Sequence, residues 1–233
     1  MNPSTCPGPD VLLARLARGL DVSPPPKHPP SEVYLHDLAV RAGLRDPDVF
    51  LVAGLPLPEG TLDLEGTAGG WVPSLVQHAL ALSPADRRRL RTRARAAAGR
   101  PRPARTLERP PAEPGPQGLG SLLVHMLALR NLSPSAVAET MCLMSGVCKA
   151  ASTIRMVRDG VKELDAELLG GFAAVLGVPV AVLAALSGVS APAQSAGPSP
   201  EVVDVAALIW EVRHLTEQEV RELADSAEEL NRS

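Results

Sequence analysis

The sequence predicts an all-α protein arranged as two tandem related helical units. Apolar residues recur at spacings of three and four, as at Leu12, Leu13, Leu16 and Leu20, and no two-residue alternation appears. Of 233 residues, 45% are hydrophobic but only Tyr34, Phe50, Trp71, Phe172 and Trp210 are aromatic, so a core has to come from Leu, Val and Ala. Such side chains suit packed helices. The chain also matches itself at a nearly constant offset.

Three Pro-rich stretches, 23–30, 100–116 and 190–200, are expected to be extended connectors that helices cannot cross. In order, the first helix is expected at 9–20 on its leucine spacing. Helices at 32–42 and 46–54 follow on Leu35, Leu38 and Ala39 and on Val49, Phe50 and Val52. After 71–82 comes 84–98, whose start sets Ser83 three residues before Asp86. Helices at 119–130, 134–141, 146–159, 164–176 and 179–187 fill the middle, with Ser133 as an N-cap and Gly160 and Gly188 as C-cap glycines. The last two are 201–213 and 217–231, the latter opened by Thr216 and Glu219, a full capping box.

The self-match sets Leu38 on Phe172, Ala39 on Ala173 and Gly43 on Gly177, an offset of 134, with Val49 to Gly54 opposite Leu183 to Gly188. Leu82, Ser83 and Asp86 fall on Leu215, Thr216 and Glu219 at 133. The first helices also match, Leu12, Leu13 and Leu16 on Leu122, Leu123 and Met126, but at only 110. The first copy is therefore about 23 residues short, and the piece it lacks corresponds to part of 133–160. Expected boundaries are an N-terminal unit 1–99, a linker 100–117, a second unit 118–189, a linker 190–200 and acidic C-terminal helices 201–233.

Charge is unevenly placed. The chain carries −3, yet residues 84–109 hold ten Arg against Asp86 and Glu108, and the last 34 residues hold nine acids against three Arg. Arg87, Arg88, Arg89, Arg91, Arg93 and Arg95 sit on one helix that they encircle, with Arg100, Arg102 and Arg105 in the tail after it. That helix is expected to bury little and to contact phosphate or an acidic partner. The acids Glu217, Glu219, Glu222, Asp225, Glu228 and Glu229 are its expected partners in cis or across a dimer. Twenty of the 23 basic residues are Arg, which with the abundant Ala, Pro and Gly points to a GC-rich coding genome.

Other chemistries are not written in the chain. No two of the five His stand at metal-ligand spacing, and there is no Walker loop, nucleophile elbow or dinucleotide fingerprint, so neither a cofactor nor an enzyme is expected. Cys6, Cys142 and Cys148 are odd in number and form no C-x-x-C pair, which argues against a disulfide framework; Cys142 and Cys148 are read as small core hydrophobes. No apolar run reaches the length of a membrane span and the N-terminus resembles no leader, so a cytoplasmic protein is expected.

The run from Leu132 and Ser133 through Val137, Ala138 and Met141, the segment Ser152, Thr153, Ile154, Arg155 to Gly160, and then Leu176, Gly177, Val178 and Leu183, resemble the lambda repressor-like helix-turn-helix domains of the Cro/C1 (XRE) type. The resemblance covers about 67 residues, and 142–151 is about five residues longer than the usual turn. It implies a five-helix DNA-binding domain over 118–189, a first unit lacking the helix-turn-helix helices, and a homodimer on double-stranded DNA. The recognition helix would be 147–159, anchored by Val147, Ala151, Ile154 and Val157, with Lys149, Ser152, Thr153, Arg155 and Arg158 toward bases and phosphates and Ser133 opening the helix before it. A transcriptional regulator follows, with Leu35, Leu38, Val49, Phe50 and Val52 of the first unit offered to a second copy or a protein partner. Residues 119–188 carry no net positive charge, which keeps open a helical adaptor that has lost DNA binding.

Overall fold

The computed structural model describes residues 7–25, 29–100, 118–189 and 197–232. Most of the expected connectors, together with Cys6, Arg102 and Arg105, lie outside them.

Twelve helices and no strand occur among the described residues: α1 Pro9–Gly19, α2 Glu32–Ala42, α3 Asp46–Val52, α4 Val72–Ala81, α5 Pro84–Ala98, α6 Leu119–Ala128, α7 Pro134–Ser145, α8 Ala151–Arg158, α9 Ala166–Leu176, α10 Val180–Ser187, α11 Pro200–Val212 and α12 Glu217–Arg232. A 3-10 turn, Ala68–Trp71, leads into α4. The expected caps form. Ser83 accepts from the Asp86 amide, and Thr216 and Glu219 each accept from the other's backbone N–H. Gly188 ends α10 in the left-handed region, where a side chain would be strained.

One apolar cluster joins both sides of 101–117. It runs from Leu12, Leu16, Leu35 and Leu38 through Leu75 and Leu90 to Met126, Phe172, Ile209 and Val220. The leucines and valines expected to serve a partner are spent inside the chain: Leu35, Leu38, Val49 and Val52 are fully buried and Phe50 packs against the same cluster. Burial of such side chains is worth about 1.5–3 kcal/mol each, so they leave water for the nearest apolar surface, here the chain's own helices. α1 packs mainly on α10 and α6 packs on α3, while α4 lies on α12, α7 and α11, and α5 lies on α11 and α12.

The Arg-rich helix is a packed element, contrary to expectation. Leu90 and Ala94 are fully buried, and three of its arginines turn inward onto α11. Arg87 and Arg91 meet Asp204 at 3.4 and 3.2 Å, and Arg91 and Arg95 meet Glu211 at 2.9 and 2.6 Å. The expected acids of α12 are not the main partners; Glu219 lies 4.0 Å from Arg100. Residues 87, 91 and 95 recur every four and so form one stripe, which faces two acids seven apart on α11. The hydrogen bond that Arg91 donates to Glu211 raises the Arg91 pKa above its ordinary value.

Candidate nucleic-acid interface

α6 to α10 span the stretch with the helix-turn-helix resemblance, and α7 and α8 are its central pair. Its corner is fixed by residues far away in sequence. Arg130, just past α6, is 1% exposed, and its Nη1 and Nη2 each donate at 2.8 Å to one oxygen of the fully buried Asp48 on α3. Nη1 also donates to the Met126 carbonyl. Asn131 follows with a positive φ of 61°, and its amide donates to the Glu65 carbonyl at 2.8 Å. Gly69 lies so close to the Asn131 carbonyl that no Cβ fits between them. The N-terminal half thus mounts the start of α7.

Ser133 caps α7 as expected, accepting from the Ala136 amide at 3.3 Å with Pro134 at the first position. α7 continues to Ser145, one turn past the expected 141, and ends at Gly146 with φ 73°. The turn is 146–150, so the helix expected over 147–159 is shorter: α8 begins at Ala151 and ends at Arg158. Lys149 and Val147 precede it. The lengthened segment is absorbed partly by α7 and partly by a turn that a Cys142–Cys148 disulfide closes, with Cα atoms 4.3 Å apart. The cysteines are therefore not core hydrophobes; Cys148 is exposed and Cys142 half-buried. Six residues apart on one continuous helix they would not meet; the break at Gly146 brings them together.

α8 is strongly two-sided. Ile154 and Val157 are fully buried, and Ala151 is half-buried. Gly120 on α6 allows this approach, since a Cβ there would stand 2.7 Å from Val157 Cγ1 and 2.9 Å from its carbonyl oxygen. Gly171 on α9 makes the same room for Met141 of α7. Ser152, Arg155 and Met156 face solvent, and Thr153 is half-exposed.

The expected donors are thereby sorted. Lys149 is tied to Glu167 at 2.7 Å and Arg158 to Asp159 at 2.8 Å, and both stand half-exposed. The side chain of Arg155 has no hydrogen-bond or ion-pair partner among the described residues. The arrangement offers one open guanidinium, one or two hydroxyls and a methionine on a helix held rigidly from behind. The capped end of α7 precedes it in the chain. The second group of expected contacts, on α5, is built elsewhere: Arg88, Arg89 and Arg93 line a shallow solvent-facing groove, with Arg89 bridged to Asp86 at 3.0 Å, while Arg87, Arg91 and Arg95 are engaged with α11. α5 packs on α11 and α12, whereas α8 packs on α6 and α7, so the two basic features share no helix pair.

Sequence reasoning missed a cluster of three arginines around Trp210 of α11. The guanidiniums of Arg213, Arg130 and Arg45 stand 3.6, 5.2 and 5.6 Å from the ring centroid. Burial, with the neighbouring charges of Arg130 and Arg45, lowers the Arg213 pKa to about 10, and burial likewise lowers that of Arg45. Arg45 and Arg130 come from the ends of two other helices and only Trp210 and Arg213 are neighbours in sequence, so the cluster carries no shared sequence signal.

Among the described residues no group of three His, Cys, Asp or Glu is placed to hold a metal ion. No described helix is long and apolar enough to cross a membrane. No family model, curated protein or solved structure matches this chain.

Proposed function

We propose that α7 and α8 are a helix-turn-helix that reads double-stranded DNA, and that the protein regulates transcription. The observation that carries this reading is the two-sidedness of α8: Ile154 and Val157 lock one face while Ser152, Arg155 and Met156 stand open on the other. A helix entering the major groove needs such a fixed back and a front of donors and apolar groups for base edges. Ser133 and the start of α7 supply backbone N–H groups and a positive dipole suited to a phosphate. With Lys149 and Arg158 neutralised by neighbours, non-specific affinity is low and recognition rests on Arg155.

The test is selection of genomic DNA fragments by the purified protein at two salt concentrations, followed by Arg155→Ala. One enriched motif that survives the higher salt is expected. The variant should lose about 1–3 kcal/mol of specific binding, roughly 5- to 150-fold, with an unchanged melting temperature. A second reading, a helical adaptor docking a protein, is favoured by those same neutralised cations, and it gains if no fragment is enriched and Arg155→Ala changes nothing.

A further inference from the structure

The core is put together crosswise. Setting α4 and α5 on α11 and α12 at the offset of 133 places Val72, Leu75 and Val76 on Val205, Leu208 and Ile209. Leu90 and Ala94 fall on Leu223 and Ala227. Every one of these ten residues is buried. The helices they belong to pack on each other's counterparts: α4 on α12 and α5 on α11, with α4 also on α11 and α5 also on α12. The first helices cross over in the same sense, α1 lying mainly on α10, and α6 reaching α3 while also packing on α8 and α9 of its own side. Two copies of one unit that dimerised about a two-fold axis and swapped their first helices would make these same pairings.

The side without a second helix-turn-helix is finished as a surface. At the offset of 134, Gly171 and Val175 of α9, both buried, correspond to Asp37 and Arg41 of α2. Those two form an exposed pair at 2.8 Å, and His36, at the place of Gly170, contacts Asp46 at 3.0 Å. Val33 and Val40 remain exposed among these polar groups.

We infer that this chain is its own dimer: a single polypeptide closes the two-fold core, carries one reading head, and recognises one asymmetric DNA half-site as a monomer. This replaces the homodimer implied by the resemblance, and it rests on the DNA-reading proposal above. The surface with which such a unit would take a second copy is already occupied from within. A dimeric helix-turn-helix protein needs two half-sites about one helical turn apart, and this one does not.

Sedimentation equilibrium of the full chain across the micromolar range, alone and with a selected fragment, tests the inference. The expected results are a free mass of 24.4 kDa at all concentrations, one protein per DNA duplex and a motif without a dyad. A free mass of twice that value, or two protomers on a palindrome, overturns it. If no fragment is bound, the DNA reading and the half-site fail together, and the free mass alone then decides whether the core is closed.

Discussion

Three guanidinium groups crowd the indole of Trp210, and Asp48 holds only one of them in a bidentate pair. The consequences for the two most buried differ in sign. Arg130 and Asp48 satisfy each other out of contact with water, so Asp48→Ala strands a buried charge and is expected to cost about 3–5 kcal/mol in denaturant unfolding. Arg213 is held in its charged form at a cost: its folded pKa is lowered to about 10, and its Nε is buried without a partner among the described residues. A base with a lowered pKa binds its proton less tightly folded than unfolded, so stability rises as pH climbs from about 10 toward the unfolded value. Arg213→Met removes that burden while keeping a long side chain over the ring, and is expected to leave the melting temperature unchanged or raised. A loss as large as that of Asp48→Ala would show that stacking on Trp210 outweighs desolvation. None of this was visible in the sequence, because Arg45, Asp48, Arg130, Trp210 and Arg213 meet only once α3, α6 and α11 are packed.

The helices themselves were legible, because prolines and glycines mark their ends and the leucines repeat at three and four. The α7–α8 boundary was not. Apolar residues continue through Cys142, Leu143 and Met144, so periodicity alone does not separate a helix from the turn that follows. There a disulfide spans six positions across Gly146 and ties the end of α7 to the residues before α8. Closing so short a loop removes little unfolded-state entropy, worth about 2 kcal/mol. Thiol labelling of the denatured chain should find Cys6 alone reactive until a reductant is added, and reduction should lower the melting temperature by a few degrees. Equal labelling of all three thiols without reductant would show the pair to be open. The stripe Arg87, Arg91, Arg95 facing Asp204 and Glu211 belongs to this scale too. Its spacing of four was written in the sequence; which acidic helix it faces was decided by packing.

At the scale of the molecule, helices from both sides of the 101–117 stretch bury one another, although the internal match was enough to pair α1 with α6, α2 with α9 and α5 with α12 in sequence. Cleavage at a protease site placed within 101–117 is therefore expected to leave two fragments that co-elute as a 1:1 complex and part only in denaturant. Free fragments in buffer would mean two independent domains. The exchange of first helices also governs how the protein is made. About 160 residues separate the end of α1 from the start of α10, its main packing partner. At roughly 5–20 residues per second, the ribosome takes about 10–30 s to supply that partner. For that interval Leu12, Leu13 and Leu16 emerge with little to cover them, which makes the nascent N-terminal helix a natural client for a chaperone waiting at the exit tunnel.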